Sequence, residues 1–236
     1  AQIEQKGNHK PIHFGMNISN DIYASYVMSQ GLLGTHAVIH GQMKVFPVEI
    51  PLPGPHMVLN ALAAAGVGMK AGLSGEEIRQ GIAGVETVNG RSHVISLPDY
   101  TLIDDCYNAN PASMRAAIDL LAMAQVRKVA VLGDMFELGE RKEALHGEVG
   151  EYAAKKVDVL ICTGPLSRHM YEKARKSQEL SGSENKGEVY YFADRDEMMG
   201  ELPGILKKGD TILVKASHGM EFEKVAQVLY GHFRLF

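Results

Sequence analysis

The sequence lacks the motifs that would by themselves define a nucleotide enzyme. It contains no Gly-x-x-x-x-Gly-Lys-Ser/Thr segment, so this chain alone has no loop that cradles nucleotide phosphates. No Gly-x-Gly-x-x-Gly follows a predicted strand, which argues against a dinucleotide-dependent oxidoreductase. His146-Gly147-Glu148 is similar to the His-x-Glu of zinc deaminases, but no Cys-x-x-Cys completes a metal site. The sequence therefore predicts no metal site within this chain.

Runs of one charge, long apolar runs and cysteines are also scarce. The 24 basic and 28 acidic side chains give a net charge of -4, and no cluster of Lys or Arg could track a nucleic-acid backbone. The uncharged stretch from Ile50 to Met69 contains prolines, a histidine and an asparagine, so it does not predict a membrane span. No signal-peptide pattern is present, and Cys106 and Cys162 lie in apolar surroundings. These features predict reduced core thiols and a cytoplasmic protein.

What is present is typical of a packed α/β protein with two domains. Hydrophobic residues make up 45% and charged residues 22% of 236 residues. Before Pro53 the pattern predicts strands of a mixed sheet, such as Ala37–His40 and Val45–Ile50. Helices are then expected over Pro55–Ala71 and Ser74–Ala83, the second beginning with a Ser-x-x-Glu capping box. Val85–Gly90 reads as a connector, and we place the domain boundary there.

The second part alternates apolar strands with amphipathic helices. A hairpin is expected over Ser92–Leu97 and Tyr100–Asp104, turned by Pro98-Asp99. Strands then follow helices along the chain as Lys128–Leu132, Val157–Cys162, Val189–Phe192 and Thr211–Val214, with a final helix over Met220–Tyr230. This alternation predicts an α/β fold, a doubly wound and mostly parallel sheet covered on both faces. The carboxyl ends of its strands should meet at one edge, where such folds bind ligands.

Polar residues concentrate at that edge. Asp104-Asp105-Cys106-Tyr107-Asn108-Ala109-Asn110-Pro111 crosses from a strand end to a helix start, where Asn110 suits the cap and Pro111 the first turn. Asp105 could accept hydrogen bonds from ribose hydroxyls. Arg91, at the domain boundary, could reach a phosphate or form a surface ion pair. The loops at Asp134 and at Lys215–Met220 are either ligand loops or turn chemistry alone.

A further pair of polar residues lies at the start of the first predicted helix. His56 and Asn60 are four residues apart and therefore share one helix face. Asn60 could bind a purine edge and His56 could offer a flat surface to the ring. The alternative is a helix that packs an alanine face and exposes its polar start.

Taken in order, these segments resemble the Mur ligase family from about Gly31 to Met220. The most specific pieces are the runs from Leu102 to Ala117 and from Val131 to Gly139. The resemblance implies residues 1–87 as the end of a central ATPase domain and residues 88–236 as a Rossmann-like closing domain. It also implies that this chain is a fragment, inactive alone, of a cytoplasmic ATP-dependent ligase that adds D-alanyl-D-alanine to UDP-N-acetylmuramoyl-tripeptide through an acyl phosphate.

The resemblance implies roles for single residues as well. Asn60 would face adenine, Asp105 the ribose and Arg91 the phosphates, and His56 is a further nucleotide-binding candidate. Arg91 and Asp105 are also the catalytic candidates, brought to the nucleotide by domain closure. Substrate-side residues are expected in a second set: Asn108, Asn110, Asp134, Ser217 and His218. ATP and Mg²⁺ are the implied cofactors, and the metal ligands are expected upstream of Ala1.

The chain departs from the family pattern at three positions, and two other functions stay open. Met57 replaces an asparagine of the His-Asn-x-x-Asn motif, Cys106 replaces a serine, and His218 replaces an arginine. A folylpolyglutamate-type ligase would share both domains, although the run from Tyr107 to Pro111 argues against it. A nucleotide-binding or protein-binding module without catalysis is the third interpretation, because doubly wound domains host many chemistries.

Overall fold

The computed structural model describes residues 11–86, 90–180 and 187–231. The chain forms two compact units, Ala1–Glu86 and Thr87–Phe236, so the division falls within the connector expected at Val85–Gly90. Residues 87–89 of that connector lie outside the described residues.

The first unit is a small mixed sheet packed against two helices. Its elements are β1 (Phe14–Gly15), β2 (Ile22–Ser29), β3 (Thr35–Gly41), β4 (Lys44–Ile50), α1 (Pro55–Lys70) and α2 (Gly75–Ala83). The strand order is β1-β2-β3-β4, in which only the short β1–β2 pair is parallel. The expected mixed sheet and both helices are confirmed, and β2 lies within the stretch expected to form short strands, although no bounds were predicted for it.

Strand alternation and capping explain why these segments fold as they do. Buried residues alternate with half-buried ones in β3 and with exposed ones in β4, and Ile39, Val48 and Leu62 lie in the buried cluster between sheet and helices. The predicted capping box is present, since the Ser74 hydroxyl accepts from the Glu77 amide and the Glu77 carboxylate accepts from the Ser74 amide. α2 therefore begins where the sequence indicates.

The second unit is built on a larger, mostly parallel sheet. Its strands are β5 (His93–Ser96), β6 (Thr101–Asp104), β7 (Lys128–Gly133), β8 (Val159–Thr163), β9 (Glu188–Phe192) and β10 (Thr211–Lys215). Its helices are α3 (Pro111–Leu121), α4 (Lys142–Ala154), α5 (Ser167–Leu180), α6 (Arg195–Ile205) and α7 (Glu223–Gly231). The strand order among the described residues is β5-β6-β10-β7-β8-β9, and only β5 runs antiparallel to its neighbour.

Both faces of this sheet are covered, which confirms the doubly wound α/β prediction. Every residue of β8 and β10 is buried, as continuous apolar strand runs predict. α3, α4 and α5 contact the sheet on one side. Residues of α6 and α7 join the buried cluster on the other side, where Phe222 and Leu202 pack against strand side chains.

The helices of the second unit differ from expectation near the carboxyl terminus. The predicted helix Met220–Tyr230 is wrong at its start: a short 3-10 turn, His218–Met220, precedes α7, which begins at Glu223. Glu221 between them has a left-handed backbone (φ 52°), which interrupts the helical hydrogen bonds, and its carboxylate pairs with Arg195 at 2.9 Å. The short helix expected near Glu197 is the longer α6.

Candidate functional site

The carboxyl ends of the parallel strands meet at one edge of the sheet, as predicted. The register pairs Val214 with Asp104, Lys215 with Leu132 and Gly133 with Thr163. The loops that leave β6, β10, β7 and β8 therefore start side by side. Most of the polar residues singled out in the second unit lie in these loops or directly before β5.

Asp104 ends β6 and is fully occupied by protein partners. Its carboxylate accepts from the Gly90 amide and the Tyr230 hydroxyl, each at 3.1 Å, and from the Cys106 thiol at 3.0 Å. Burial, the nearby Asp104 charge and these hydrogen bonds raise the pKa of both Tyr230 and Cys106. Both groups therefore stay protonated as donors, and Asp104 acts as an internal anchor.

Asp105 holds two neighbouring segments together. One carboxylate oxygen accepts from the Ser92 amide at 2.8 Å, and the other pairs with the Lys215 ammonium at 2.6 Å. The side chains are 13% exposed for Asp105 and 2% exposed for Lys215. The Ser92 hydroxyl is also 3.4 Å from the first oxygen. An ionised carboxylate offers about four acceptor sites, so with these three donors Asp105 retains capacity for about one more.

Lys215 was expected at this edge as the first residue of a polar loop, but its burial and its pairing with Asp105 were not predicted. Besides Asp105, its ammonium donates to the Asn108 carbonyl at 2.9 Å and to the Asp105 carbonyl at 3.3 Å. A charged residue at the end of an apolar strand was a visible signal, because a lysine is almost never fully buried unless it is paired. Its partners lie more than 100 residues away in sequence, and no local pattern indicates them.

Arg91 is exposed, but its backbone surroundings are fixed on both sides. The Gly90 amide donates to Asp104, the Gly90 carbonyl accepts from the Tyr107 amide at 2.9 Å, and the Ser92 amide donates to Asp105. Gly90 has a positive φ of 78°, which suits glycine, and a Cβ there would approach the Tyr107 amide. The segment 90–92 is thus tied to the loop after β6.

The guanidinium of Arg91 lies over the ring of Tyr107, 4.0 Å from its centre. The ring of His218 is 6.2 Å from that of Tyr107 and tilted against it. All three side chains are exposed. Within the part of the chain that the structure describes, Arg91 forms no ion pair, so its charge is available to an anion.

The other predicted substrate-side residues of these loops contribute to local structure. Asn110 caps α3 as expected, and Pro111 occupies the first turn. The side-chain oxygen of Asn108 accepts from the next amide, at Ala109, at 2.9 Å. The hydroxyl of Ser217 accepts from the Phe136 amide at 2.8 Å and is 3.4 Å from the Ala109 carbonyl. Ser217 therefore links the loops after β6, β7 and β10.

Asp134 is buried at the end of β7, where it caps the next helix. Its carboxylate accepts from the Ser167 amide and hydroxyl, each at 2.7 Å, and from the Leu166 amide at 3.2 Å. These donors belong to the start of α5, whose first amides lack intrahelical partners. A Cβ on Gly164 would collide with the Asp134 carboxylate, so the two loops are closely packed.

His146, which has no partners for a zinc site in the sequence, supports the loop that follows β7. It is fully buried, its Nε2 accepts from the Met135 amide at 2.9 Å, and its Nδ1 donates to the Lys142 carbonyl at 2.6 Å. Burial lowers the pKa of His146. The neutral form is the one that can accept from Met135, because both ring nitrogens of a protonated histidine are donors.

A groove of about 600 Å³ opens beside the loop that follows β7. Apolar side chains of Met135, Phe136, Leu138 and Leu166 contribute to its lining, together with Lys142. This volume is in the range of small-molecule sites. Space for a ligand therefore adjoins the strand-end edge of the second unit.

His56 and Asn60 belong to the first unit, at the start of α1. Both side chains are exposed, and the Asn60 amide nitrogen lies 3.4 Å from the sulfur of Met57. Met57 stands where the related motif has an asparagine. The arrangement leaves the Asn60 side-chain oxygen without a protein donor among the described residues, so it can accept from a ligand.

The described residues contain neither a metal-binding cluster nor a membrane-spanning helix. Among residues 11–86, 90–180 and 187–231, no group of three His, Cys, Asp or Glu side chains is placed to hold a metal ion. No helix within these ranges has the length and apolar character needed to cross a bilayer. Cys106 and Cys162 are free and buried, as the sequence predicts.

An open parallel sheet with loops of this kind defines an α/β domain of the Rossmann-like type. A family model described as "Mur ligase, glutamate ligase domain" matches residues 90–218, and the chain belongs to the Mur ligase family. It is 34% identical over 220 residues, 92% of its length, to UDP-N-acetylmuramoyl-tripeptide–D-alanyl-D-alanine ligase from Bacillus subtilis (strain 168).

Solved structures agree with this assignment. A crystal structure of MurF from Acinetobacter baumannii superposes with a TM-score of 0.83 and 26% identity, covering 94% of this chain and 47% of that protein. MurF ligase from Thermotoga maritima, solved in complex with ADP, superposes with a TM-score of 0.71 and 25% identity over 92% of this chain and 47% of the other. The chain spans about half the length of the curated relatives it matches.

Proposed function

We propose that this chain is the carboxyl-terminal half of an ATP-dependent ligase that joins D-alanyl-D-alanine to UDP-N-acetylmuramoyl-tripeptide through an acyl phosphate. The observation that carries the proposal is the match along 92% of the chain to a relative of that name. The sequence has no phosphate-cradling loop, so we expect no turnover from this chain alone. The two free, buried thiols favour the cytoplasm as its compartment.

We assign Arg91 to the nucleotide phosphates. Phosphoryl transfer depends on positioned positive charge around the transferred group. The exposed guanidinium of Arg91 is supported by the Tyr107 ring and stands on a backbone segment held by hydrogen bonds to Asp104 and Asp105. Such a group can meet an anion without a large loss of its own conformational freedom.

We assign Asp105, Asn60 and His56 to the nucleoside. Asp105 has acceptor capacity left beyond its bonds to Ser92 and Lys215, which suits a ribose hydroxyl. Asn60 offers its side-chain oxygen to the amino group of adenine, and His56 is exposed one helical turn before it.

We assign His218, Asn108, Asn110 and Ser217 to the substrate side of the loops. His218 and Asn108 are exposed, whereas Asn110 and Ser217 already bind backbone groups and would contribute mainly by holding their loops. Asp134, for the same reason, supports the start of α5 in our proposal rather than contacting substrate.

Magnesium belongs to the proposed chemistry, but the described residues of this chain hold no cluster that fits it. Mg²⁺ needs oxygen ligands in near-octahedral geometry, commonly carboxylates together with substrate phosphates. We therefore propose that the metal ligands lie in the half of the relatives' length that this chain does not span.

The test is ATP-dependent ligation by the full-length protein that carries this chain, measured beside the chain alone. Product formation from UDP-N-acetylmuramoyl-tripeptide and D-alanyl-D-alanine is followed together with phosphate release, with each substrate omitted in turn as the control. We expect product and phosphate only when all substrates and the full-length protein are present. Full-length protein that binds ATP without forming product would favour a nucleotide-binding module, and ligation of glutamate to a folate would favour a folylpolyglutamate-type ligase.

A further inference from the structure

We propose that Lys215 is a positioning residue for Arg91, acting through Asp105 and Ser92; this inference rests on the proposed function. Lys215 ends β10, Asp105 follows β6 and Ser92 precedes β5. The ion pair and hydrogen bond between them join the neighbouring segments at the strand-end edge. The residue next to Ser92 is the arginine that we assign to phosphate.

The geometry excludes direct contact of Lys215 with a ligand. A lysine ammonium has three protons, and here three acceptors surround it: the Asp105 carboxylate, the Asp105 carbonyl and the Asn108 carbonyl. The side chain is 2% exposed. Since no donor is left and no surface is open, Lys215 acts through the groups that it holds.

Lys215 determines the position of the Asp105 carboxylate, and that carboxylate determines the position of Ser92. One oxygen lies 2.6 Å from the ammonium and the other 2.8 Å from the Ser92 amide nitrogen. Ser92 has a left-handed backbone with φ of 47°, which is unfavourable for a residue other than glycine. A conformation of this kind persists where surrounding contacts impose it, and the Asp105 bond is one such contact.

Stability alone does not explain a charged pair at this position. Replacing a buried ion pair by well-packed apolar residues is often neutral or stabilising, so burial of Lys215 is weak grounds for a purely structural role. The ion pair instead fixes the orientation of the Asp105 carboxylate, because one of its oxygens must face Lys215 and the other the Ser92 amide. The carboxylate of Asp104, which holds Gly90 on the other side of Arg91, does not contact Lys215. Removing Lys215 therefore loosens only one side of Arg91.

The experiment is a double-mutant cycle in the full-length protein, with Lys215→Met and Arg91→Ala made singly and together. We expect Lys215→Met to raise KM for ATP about fivefold, within the coupling range of networked residues. In the Arg91→Ala background the same substitution should raise KM for ATP clearly less, because the arginine being positioned is absent and only the Asp105 carboxylate is left to be disturbed. Equal effects of Lys215→Met in both backgrounds, or no effect in either, would overturn the inference.

A control separates positioning from general loss of stability. Ile161→Val removes a buried methylene from β8, which pairs with β7 and β9 rather than with β5, β6 or β10, and should cost about 1 kcal/mol. We expect it to leave KM for ATP at the wild-type value. A raised KM in Ile161→Val would mean that destabilisation alone changes nucleotide binding and would also overturn the inference. If Lys215→Met does not fold, Lys215→Gln, which keeps a neutral donor, takes its place in the cycle.

A readout on this chain keeps the inference distinct from the proposed function. Hydrogen exchange of the Ser92 amide should be slow in the wild type and at least about tenfold faster in Lys215→Met, because the Asp105 acceptor is released. An unchanged exchange rate of the Ser92 amide would contradict positioning by Lys215 through Asp105, even if the enzyme is active. A wild-type full-length protein without ligation activity would instead contradict the proposed function, whatever the exchange rates show.

Discussion

The two sides of the strand-end edge use carboxylates for different purposes, a half-buried one at Asp105 and a buried one at Asp134. On the side of β6 and β10, Asp105 pairs with Lys215 and holds the segment that presents Arg91 to solvent. On the side of β7 and β8, Asp134 binds the start of α5, and its described partners are all groups of the protein itself. An aspartate at this edge thus positions an exposed arginine in one place and caps a helix in the other.

The difference teaches that a polar residue at a ligand edge is not thereby a ligand contact. Asp134 has the position expected of a substrate residue, but its carboxylate satisfies backbone donors that would otherwise be buried without partners. Arg91 has an exposed guanidinium, and hydrogen bonds fix the backbone on both sides of it. What separates them is where the hydrogen bonds go, and this requires the structure. The following predictions test that contrast, from the largest effect to the smallest.

Asp134→Ala should lower the free energy of unfolding by about 3 kcal/mol, since charge-assisted bonds are lost and buried amide donors are left unpaired. Urea unfolding measures the change. Asp194→Ala is the matched control, because Asp194 caps α6 with one exposed bond to the Glu197 amide, and it should cost only about 1 kcal/mol. Equal costs for the two substitutions would remove the contrast between buried and exposed caps.

Arg91→Ala should reduce kcat/KM for ATP at least about tenfold in the full-length protein, the effect of losing one charge-assisted contact. Its free energy of unfolding should stay within about 0.5 kcal/mol of the wild type, as for other surface substitutions. Arg175→Ala is the control: Arg175 also lies over a tyrosine ring, that of Tyr171, but on α5. If Arg91→Ala destabilised the fold without affecting kcat/KM, Arg91 would have a structural role like that of Asp134.

His146 should make the β7 side sensitive to acid. Because burial lowers its pKa, the unfolded chain takes up this proton first as the pH falls below about 6.5. Its contribution to stability is therefore present above that pH and is lost below it, with a slope of at most about 1.4 kcal/mol per pH unit. Unfolding measured at pH 7.5 and 5.5 should show a larger loss for wild type than for His146→Gln. An identical loss in both would contradict a neutral, buried His146.

Tyr107 should have the smallest effect, because it only supports the guanidinium of Arg91. An exposed cation–π contact contributes about 0.5–1 kcal/mol, so Tyr107→Ala should raise KM for ATP about two- to fivefold. Tyr107→Phe keeps the ring and should behave as wild type. If the phenylalanine variant lost as much as the alanine variant, the hydroxyl rather than the ring face would be the important group.

The sequence was sufficient for features that depend on neighbouring residues. Apolar runs placed β7, β8 and β10, and Ser74 and Asn110 marked helix starts through their own side chains. It was insufficient where a residue departs from its local pattern or its partner is distant. The left-handed Glu221 moved the start of α7, and the pairing of Lys215 with Asp105 joins residues 110 positions apart. Periodicity carries no information about such contacts, so the loop that starts at Lys215 was predicted and its ion pair with Asp105 was not.

The most direct test of the contrast between Arg91 and Asp134 is a crystal structure of the full-length protein with ADP bound. Our account predicts the guanidinium of Arg91 within hydrogen-bond distance of a phosphate oxygen, and the Asp134 carboxylate still bound to Ser167 at the start of α5. A nucleotide whose phosphates lie away from Arg91, or an Asp134 carboxylate released from α5 to bind a ligand, would contradict it.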